Sequence, residues 1–141
     1  MKLGGDIMAD CIFCKIAAGE IPAATLYEDE DFRVILDLGP ASKGHALVLP
    51  KAHYADIFEV PEDVLGKAFA VAKKAAAAIK EGLGADGINI VQNNGLAAGQ
   101  TVFHFHIHLI PRYEGENEMV GWTPGTLTEE WKEEILSKVR I

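Results

Sequence analysis

The stretch "TVFHFHIHLIP", residues 101 to 111, constrains the fold more than any other part of this chain. In it His104, His106 and His108 alternate with Phe105, Ile107 and Leu109. A period of two is the pattern of an extended strand, whose side chains point to opposite faces in turn. A strand of this kind needs a sheet with an apolar face on a core and a histidine face turned away from it. Three of the chain's five histidines lie here, a concentration hard to explain as idle polar surface. Next-but-one residues on a strand are about 6.5 Å apart, so two such histidines can share a metal ion. Three span about 13 Å, too far for one coordination shell, and are expected to take different tasks.

The rest of the chain supplies partners for that strand. "TLYED" and "FRVILDL" are β-rich runs separated by the acidic turn Asp29-Glu30-Asp31, and "HALVLP" is a third strand closed by Pro50. "INIVQN" is a fourth, and the histidine strand, ended by Pro111, is the fifth. "CIFCKIAAGE" reads as a short helix ended by Gly19. The Ala-rich run from about Pro61 to Lys80 is the one long helix, with Glu62 and Asp63 in its first turn and Gly82 and Gly84 ending it. From Thr126 to Arg140 the tail reads as a helix with a Thr126/Glu129 capping box and an apolar face of Leu127, Trp131, Ile135 and Val139. Adjacent strands that can pair antiparallel, with no alternating βαβ units, predict an α+β domain. Residues 1–10 read as a flexible N-terminal extension, and 11–141 as a single domain with a helical tail.

A chain of 141 residues is long enough to bury a real core. Its net charge of −8 and the lack of a Lys/Arg stripe argue against binding along a nucleic acid backbone. No apolar run reaches the length of a membrane span, and the N-terminus lacks the apolar core of a secretory signal, so a cytoplasmic protein without membrane contact is expected. Cys11 and Cys14 are too few and too close for a secreted disulfide framework. They can be a redox pair, half of a metal site, or two inert thiols.

A small anion remains compatible with the acidic charge, because backbone N–H groups and neutral side chains can hold a phosphate. "NNGLAAGQT" leads straight into the histidine strand, with a glycine near each end and Asn93, Gln100 and Thr101 as neutral donors. An imidazole nitrogen beside such a cradle can attack phosphorus and form a nucleotidyl-histidine that water then cleaves. The protein must hold the ring by its other nitrogen and deliver a proton to the leaving group.

At every position "HFHIHLI" resembles the signature of the histidine triad (HIT) family, in which three histidines alternate with apolar residues. "CIFCKIAAGEIP", "ILDLGPASKGHALVLPKAH" and "NNGLAAGQTVFHFHIHLIPR" resemble blocks of its bacterial, Hint-like branch, in the same order. The resemblance implies an α+β fold with a five-stranded antiparallel sheet, usually paired as a homodimer. It implies that His106 is the nucleophile, that His108 supports the phosphate and leaving group, and that His45 completes the histidine cluster. It implies that Asp37 binds the ribose hydroxyls. Ile12, Phe13, Ile16, Ile35 and Leu38 match the apolar purine pocket, and Asn93, Gly99, Thr101 and Val102 the phosphate-contacting positions. It further implies a structural zinc held by Cys11, Cys14, His53 and His104, a four-ligand set that suits tetrahedral coordination.

The expected function is hydrolysis or nucleotidyl transfer at the α-phosphate of a purine nucleotide of AMP or GMP type, with nucleoside phosphoramidates the leading substrate class. Dinucleoside polyphosphates are the alternative. A nucleotide-binding interaction protein and a metalloenzyme built on the H-x-H pair are the competing classes. One departure bears on substrate choice. Short Hint-like members end soon after a Trp-Pro-Pro-Gly tail, whereas this chain has "GWTPG" at residues 121 to 125 and then continues into a helix.

Overall fold

The computed structural model describes residues 10–116, 121 and 123–141. Nearly all of the expected N-terminal extension, and Trp122 of the "GWTPG" tail, lie outside them. The element order is α1 (Ile12–Ala17), β1 (Thr25–Glu28), β2 (Phe32–Leu36), β3 (Ala46–Pro50), α2 (Glu62–Leu83), β4 (Gly87–Val91), β5 (Ile107–Arg112) and α3 (Glu129–Lys138). The strands form one antiparallel sheet in the order β1-β2-β3-β5-β4. This is the expected five-stranded α+β architecture.

The sheet has two covered faces, and the alternation in its strands sorts side chains between them. Phe32, Val34, Ala46, Val48, Phe105, Ile107 and Leu109 meet Ala68, Ala72, Ala76 and Ile79 of α2. On the opposite face Ile35, Leu47 and Leu49 pack against Phe13 and Ile16 of α1. Every residue of β3 is buried, which is why "ALVLP" is apolar throughout rather than alternating. The alanines of α2 are small enough to bring that helix close to the sheet, and they recur at helical spacing. Burying a side chain as large as Phe105 completely is worth about 2–3 kcal/mol. Gly44, at φ +97°, sits where an added Cβ would collide with Leu83 of α2, so the turn before β3 requires glycine.

Several expectations are corrected. The long helix runs through Gly82 to Leu83, and Gly84 alone ends it, in the left-handed conformation with its N–H on Lys80 O. The fifth strand starts only at Ile107, so His104 and His106 precede it. Pro111 does not end the strand, which continues to Arg112 and pairs Pro111 with Ile88. Pairing with β3 has already stopped at Leu109, so the missing N–H of Pro111 breaks no ladder bond there. In the tail Thr128, not Thr126, is the N-cap, accepting from Trp131 N–H. The expected apolar face of Leu127, Trp131, Ile135 and Val139 is present but exposed rather than packed. Among the described residues no helix is long and apolar enough to cross a membrane.

Candidate functional site

All five histidines lie on the α1 side of the sheet or at its edge, and they divide into two groups. The first joins His104 to His53, Cys11 and Cys14. Cys11 is the N-cap of α1 and Cys14 lies one turn inside, so the helix start presents both thiols to one point. His53 follows β3 and His104 precedes β5. His104 Nδ1 is 3.4 Å from each sulfur and 3.3 Å from His53 Nδ1, and His53 Nδ1 is 3.2 Å from Cys14 Sγ. Tetrahedral ligands about 2.05 Å (nitrogen) and 2.3 Å (sulfur) from an ion would have N–N edges of about 3.3 Å and N–S edges of about 3.6 Å. The four donors match that frame.

The orientation of His104 fits a ligand as well. Its Nε2 lies 2.8 Å from Pro50 O, a group that can only accept. The proton is therefore on Nε2, and Nδ1 offers a lone pair to the cluster. Complete burial pushes the His104 pKa down to about 4, which keeps the ring neutral, as a ligand must be. Burial, helped by the Cys11 side chain, pushes the Cys14 thiol up to about 12. Binding a cation there has to displace that proton.

The second group is His106, His108, His45 and Asp37. His106 Nδ1 is 2.7 Å from the His104 carbonyl, so it donates, and Nε2 is the bare nitrogen. Burial lowers the pKa of His106, against the opposing pull of that carbonyl and of Asp37, and favours the neutral ring a nucleophile needs. The rings of His106 and His108 are 4.9 Å apart between centroids. Ala41 N–H donates to His45 Nδ1 at 2.9 Å, which places the His45 proton on Nε2. That Nε2 is 3.0 Å from His108 Nδ1, which must accept, leaving the His108 proton on its outer Nε2. Asp37 Oδ2 lies 3.5 Å from His45 Nε2, and Asp37 Oδ1 accepts from Gly39 N–H. Burial lowers the pKa of His45, while burial and the neighbouring His106 and His45 push His108 down to about 4.

Asp37, His45 and His108 are close enough to suggest a second metal site. The Ala41 amide argues against it. With His45 Nδ1 occupied as an acceptor, the nitrogen facing the other two residues carries a proton and cannot ligate. The trio is arranged as a hydrogen-bond chain that ends in a donor.

The remaining expected residues are less uniform. Phe13, Ile16 and Ile35 are buried in the core under α1, whereas Ile12 is half-exposed and Leu38 almost wholly exposed. Val102 packs against the same α1 core and Thr101 is exposed. Gly95 and Gly99 bracket a short 3-10 turn, both at positive φ. A Cβ on Gly99 would stand 3.8 Å from the Asn93 side-chain nitrogen, an ordinary contact, so the loop brings Gly99 beside that amide. Gln100 departs from its expected use as a free donor. It is buried, accepts from Gly95 N–H at 2.8 Å, and donates to Ala55 O and Val102 O at 2.6 and 3.0 Å. Its amide is spent on holding the loop. The sequence gives no sign of the roles of Ala41 N–H, Pro50 O and the His104 carbonyl, because backbone groups leave no mark in residue identity. An apolar cavity of about 540 Å³ lies beneath α2, lined by Leu26, Tyr27, Leu36, Val71 and Ile79 among others. None of the candidate residues lines it.

Comparison with known proteins identifies the family. The HIT domain model matches residues 18–115. An uncharacterised HIT-like protein of Methanocaldococcus jannaschii is 54% identical over 110 residues, covering 78% of this chain and 84% of the relative. The adenosine 5'-monophosphoramidase of Saccharomyces cerevisiae is 44% identical, covering 86% of this chain and 75% of that protein. An adenylylsulfatase of Arabidopsis thaliana is 47% identical over 74% of this chain but only 53% of its own length. Among solved structures, a HIT family protein from Bacillus anthracis superposes with a TM-score of 0.80 at 45% identity, covering 91% of this chain and 93% of the other. A zinc-bound histidine triad protein from Mycobacterium smegmatis has a TM-score of 0.76 at 44% identity, covering 84% and 86%.

Proposed function

The chain belongs to the HIT domain family, and from that premise we propose that it is a purine-nucleotide hydrolase that works through a nucleotidyl-histidine on His106. The observation that carries this reading is the bare Nε2 of His106, whose other nitrogen is tied to the His104 carbonyl at 2.7 Å. A ring held in this way has one nitrogen free to attack and is prevented from turning.

Nε2 of His106 forms a bond to the α-phosphorus as the bond to the leaving group breaks. The outward Nε2–H of His108 is the donor that faces the phosphate or the departing group, and the chain from Ala41 through His45 keeps its proton there. Water then cleaves the phosphorus–nitrogen bond, restoring His106 and releasing the nucleoside monophosphate. Asn93, Gly99, Thr101 and Val102 are assigned to the phosphate, and Asp37 to the ribose hydroxyls. Of the residues assigned to the purine, Ile12 and Leu38 expose apolar surface that a base would cover, while Phe13, Ile16 and Ile35 back them from the core.

Cys11, Cys14, His53 and His104 are assigned to a zinc ion. Four protein ligands leave no open position, so zinc would supply rigidity rather than a Lewis acid. The substrate class follows the yeast relative, whose name gives it an adenosine phosphoramidate. The family resemblance extends the reading to a homodimer in the cytoplasm.

A panel of nucleoside phosphoramidates and dinucleoside polyphosphates compared by kcat/KM tests this reading. We expect adenosine and guanosine phosphoramidates to be preferred by at least about tenfold, with a phosphorus–nitrogen adduct on His106 after acid-free quenching. Preference for dinucleoside polyphosphates would move the substrate class. AMP binding with no turnover of any panel member would favour a nucleotide-binding interaction protein.

A further inference from the structure

We propose that the cysteine–histidine clasp and Phe13 are positioning groups for His106, so that metal occupancy of the clasp sets the aim of the attacking nitrogen. The proposal rests on the reading of His106 as the nucleophile.

The reason lies in where the sheet stops. β5 begins at Ile107, and its ladder with β3 ends at the Val48–Ile107 pair. Residues 104–106 therefore have no strand partner to hold them, although one of them must place a nitrogen accurately. Side chains and single backbone bonds take over that task. Pro50 O, at the end of β3, accepts from His104 Nε2–H. Phe105 N–H donates to Tyr54 O at 2.6 Å, and Tyr54 directly follows His53. Two of the four clasp residues thus flank the bonds that seat this segment.

The link to His106 is direct. The His104 side chain enters the clasp, and the carbonyl of the same residue holds His106 Nδ1–H. Phe13, between Cys11 and Cys14 on α1, stands edge-on to both rings, with centroids 6.1 Å from His104 and 5.0 Å from His106. The helix start, the loop after β3 and the approach to β5 all converge on the residue whose carbonyl orients the nucleophile. Without a cation they are joined by thiol and imidazole contacts of 3.2–3.4 Å, which are weak hydrogen bonds. With a cation they become four coordinate bonds. Groups that orient a metal site or a reacting atom from one residue away typically change rates by about 10–100-fold.

The test compares zinc-loaded protein, the same protein stripped by a chelator and then given zinc back, and the variants Cys14→Ser and Phe13→Leu. The readouts are zinc content, far-UV circular dichroism, kcat and KM on adenosine 5'-phosphoramidate, and the imidazole 15N shifts of His106. Stripping and Cys14→Ser should lower kcat about tenfold or more with KM changed less than about threefold. The His106 shifts should move from a pure Nδ1–H form toward a mixture of tautomers, and zinc should reverse both effects in the stripped protein. Phe13→Leu should keep its zinc and show the same shift change with a smaller loss of kcat.

Unchanged kcat and unchanged His106 shifts after zinc loss, with only Tm lowered, would overturn the proposal, as would failure of the protein to bind zinc. If the stripped chain unfolds, Phe13→Leu in the zinc-loaded protein decides: unchanged kcat and shifts there reject the positioning role. Failure of the nucleophile reading is distinguishable, because it would appear as activity in His106→Asn whatever the shifts report.

Discussion

His104 and His106 are two residues apart and both buried, yet the partner of one nitrogen decides what each ring offers. Pro50 O accepts from His104 Nε2–H and turns its Nδ1 to the thiols. The His104 carbonyl accepts from His106 Nδ1–H and leaves its Nε2 bare. His108 is linked to pH in a testable way, since its pKa is pushed from 6.5 down to about 4. Below 6.5 the unfolded chain binds a proton that the folded ring refuses. Stability should therefore fall as pH drops from about 6.5 to about 4, with no contribution from this residue above that window. Urea midpoints measured from pH 7.5 to 4.5 should fall more steeply for wild type than for His108→Asn, and parallel slopes would contradict the shift. Gln100 gives a second test at this scale. Gln100→Ala leaves Gly95 N–H, Ala55 O and Val102 O without partners, at a cost of about 3 kcal/mol in urea unfolding. A cost near zero would mean that water replaces the amide. Its role was not legible in the sequence, because a glutamine beside a glycine loop reads equally well as a ligand donor or as a loop pin.

At the scale of elements, periodicity was a sound guide to which face a residue occupies and a poor one to where hydrogen bonding begins. Phe105, Ile107 and Leu109 do enter the α2 core and the histidines do take the other face. The alternation persists through residues 104–106 although no ladder does and the chain bends at His104, because side-chain burial keeps Phe105 on one face and the two histidines on the other. Pro111 misled for a related reason: proline stops a strand only where its N–H is needed, and here the β3 neighbour has already ended. The tail misled at its cap, since Thr126 and Thr128 are both acceptable N-caps and only the backbone chooses. Every residue of α3 is exposed, so the tail contributes nothing to the core of the chain. Truncation after Gly125 should change the unfolding free energy by less than about 0.5 kcal/mol. A larger loss, measured on protein at constant concentration, would show that α3 is seated on something.

For the whole molecule, the proposed function asks an acidic chain to hold a phosphate with neutral rings and backbone donors rather than with a positive field. The net charge of −8 therefore spoke against a nucleic acid groove without speaking against a nucleotide. The fold class was readable from motif and spacing, whereas the site residues were named only through the family resemblance. The division of the five histidines into a cysteine-linked cluster and a hydrogen-bonded group beside Asp37 was implied only by resemblance, and its physical basis is in carbonyl and amide groups that carry no sequence signature. Both groups meet at residues 104–106, which makes His106 the point on which the functional reading stands. The most direct measurement is the kcat/KM of His106→Asn on adenosine 5'-phosphoramidate, together with its affinity for AMP. A loss of about four orders of magnitude or more with AMP affinity within about threefold of wild type is predicted. Activity close to wild type in that variant would contradict attack by His106.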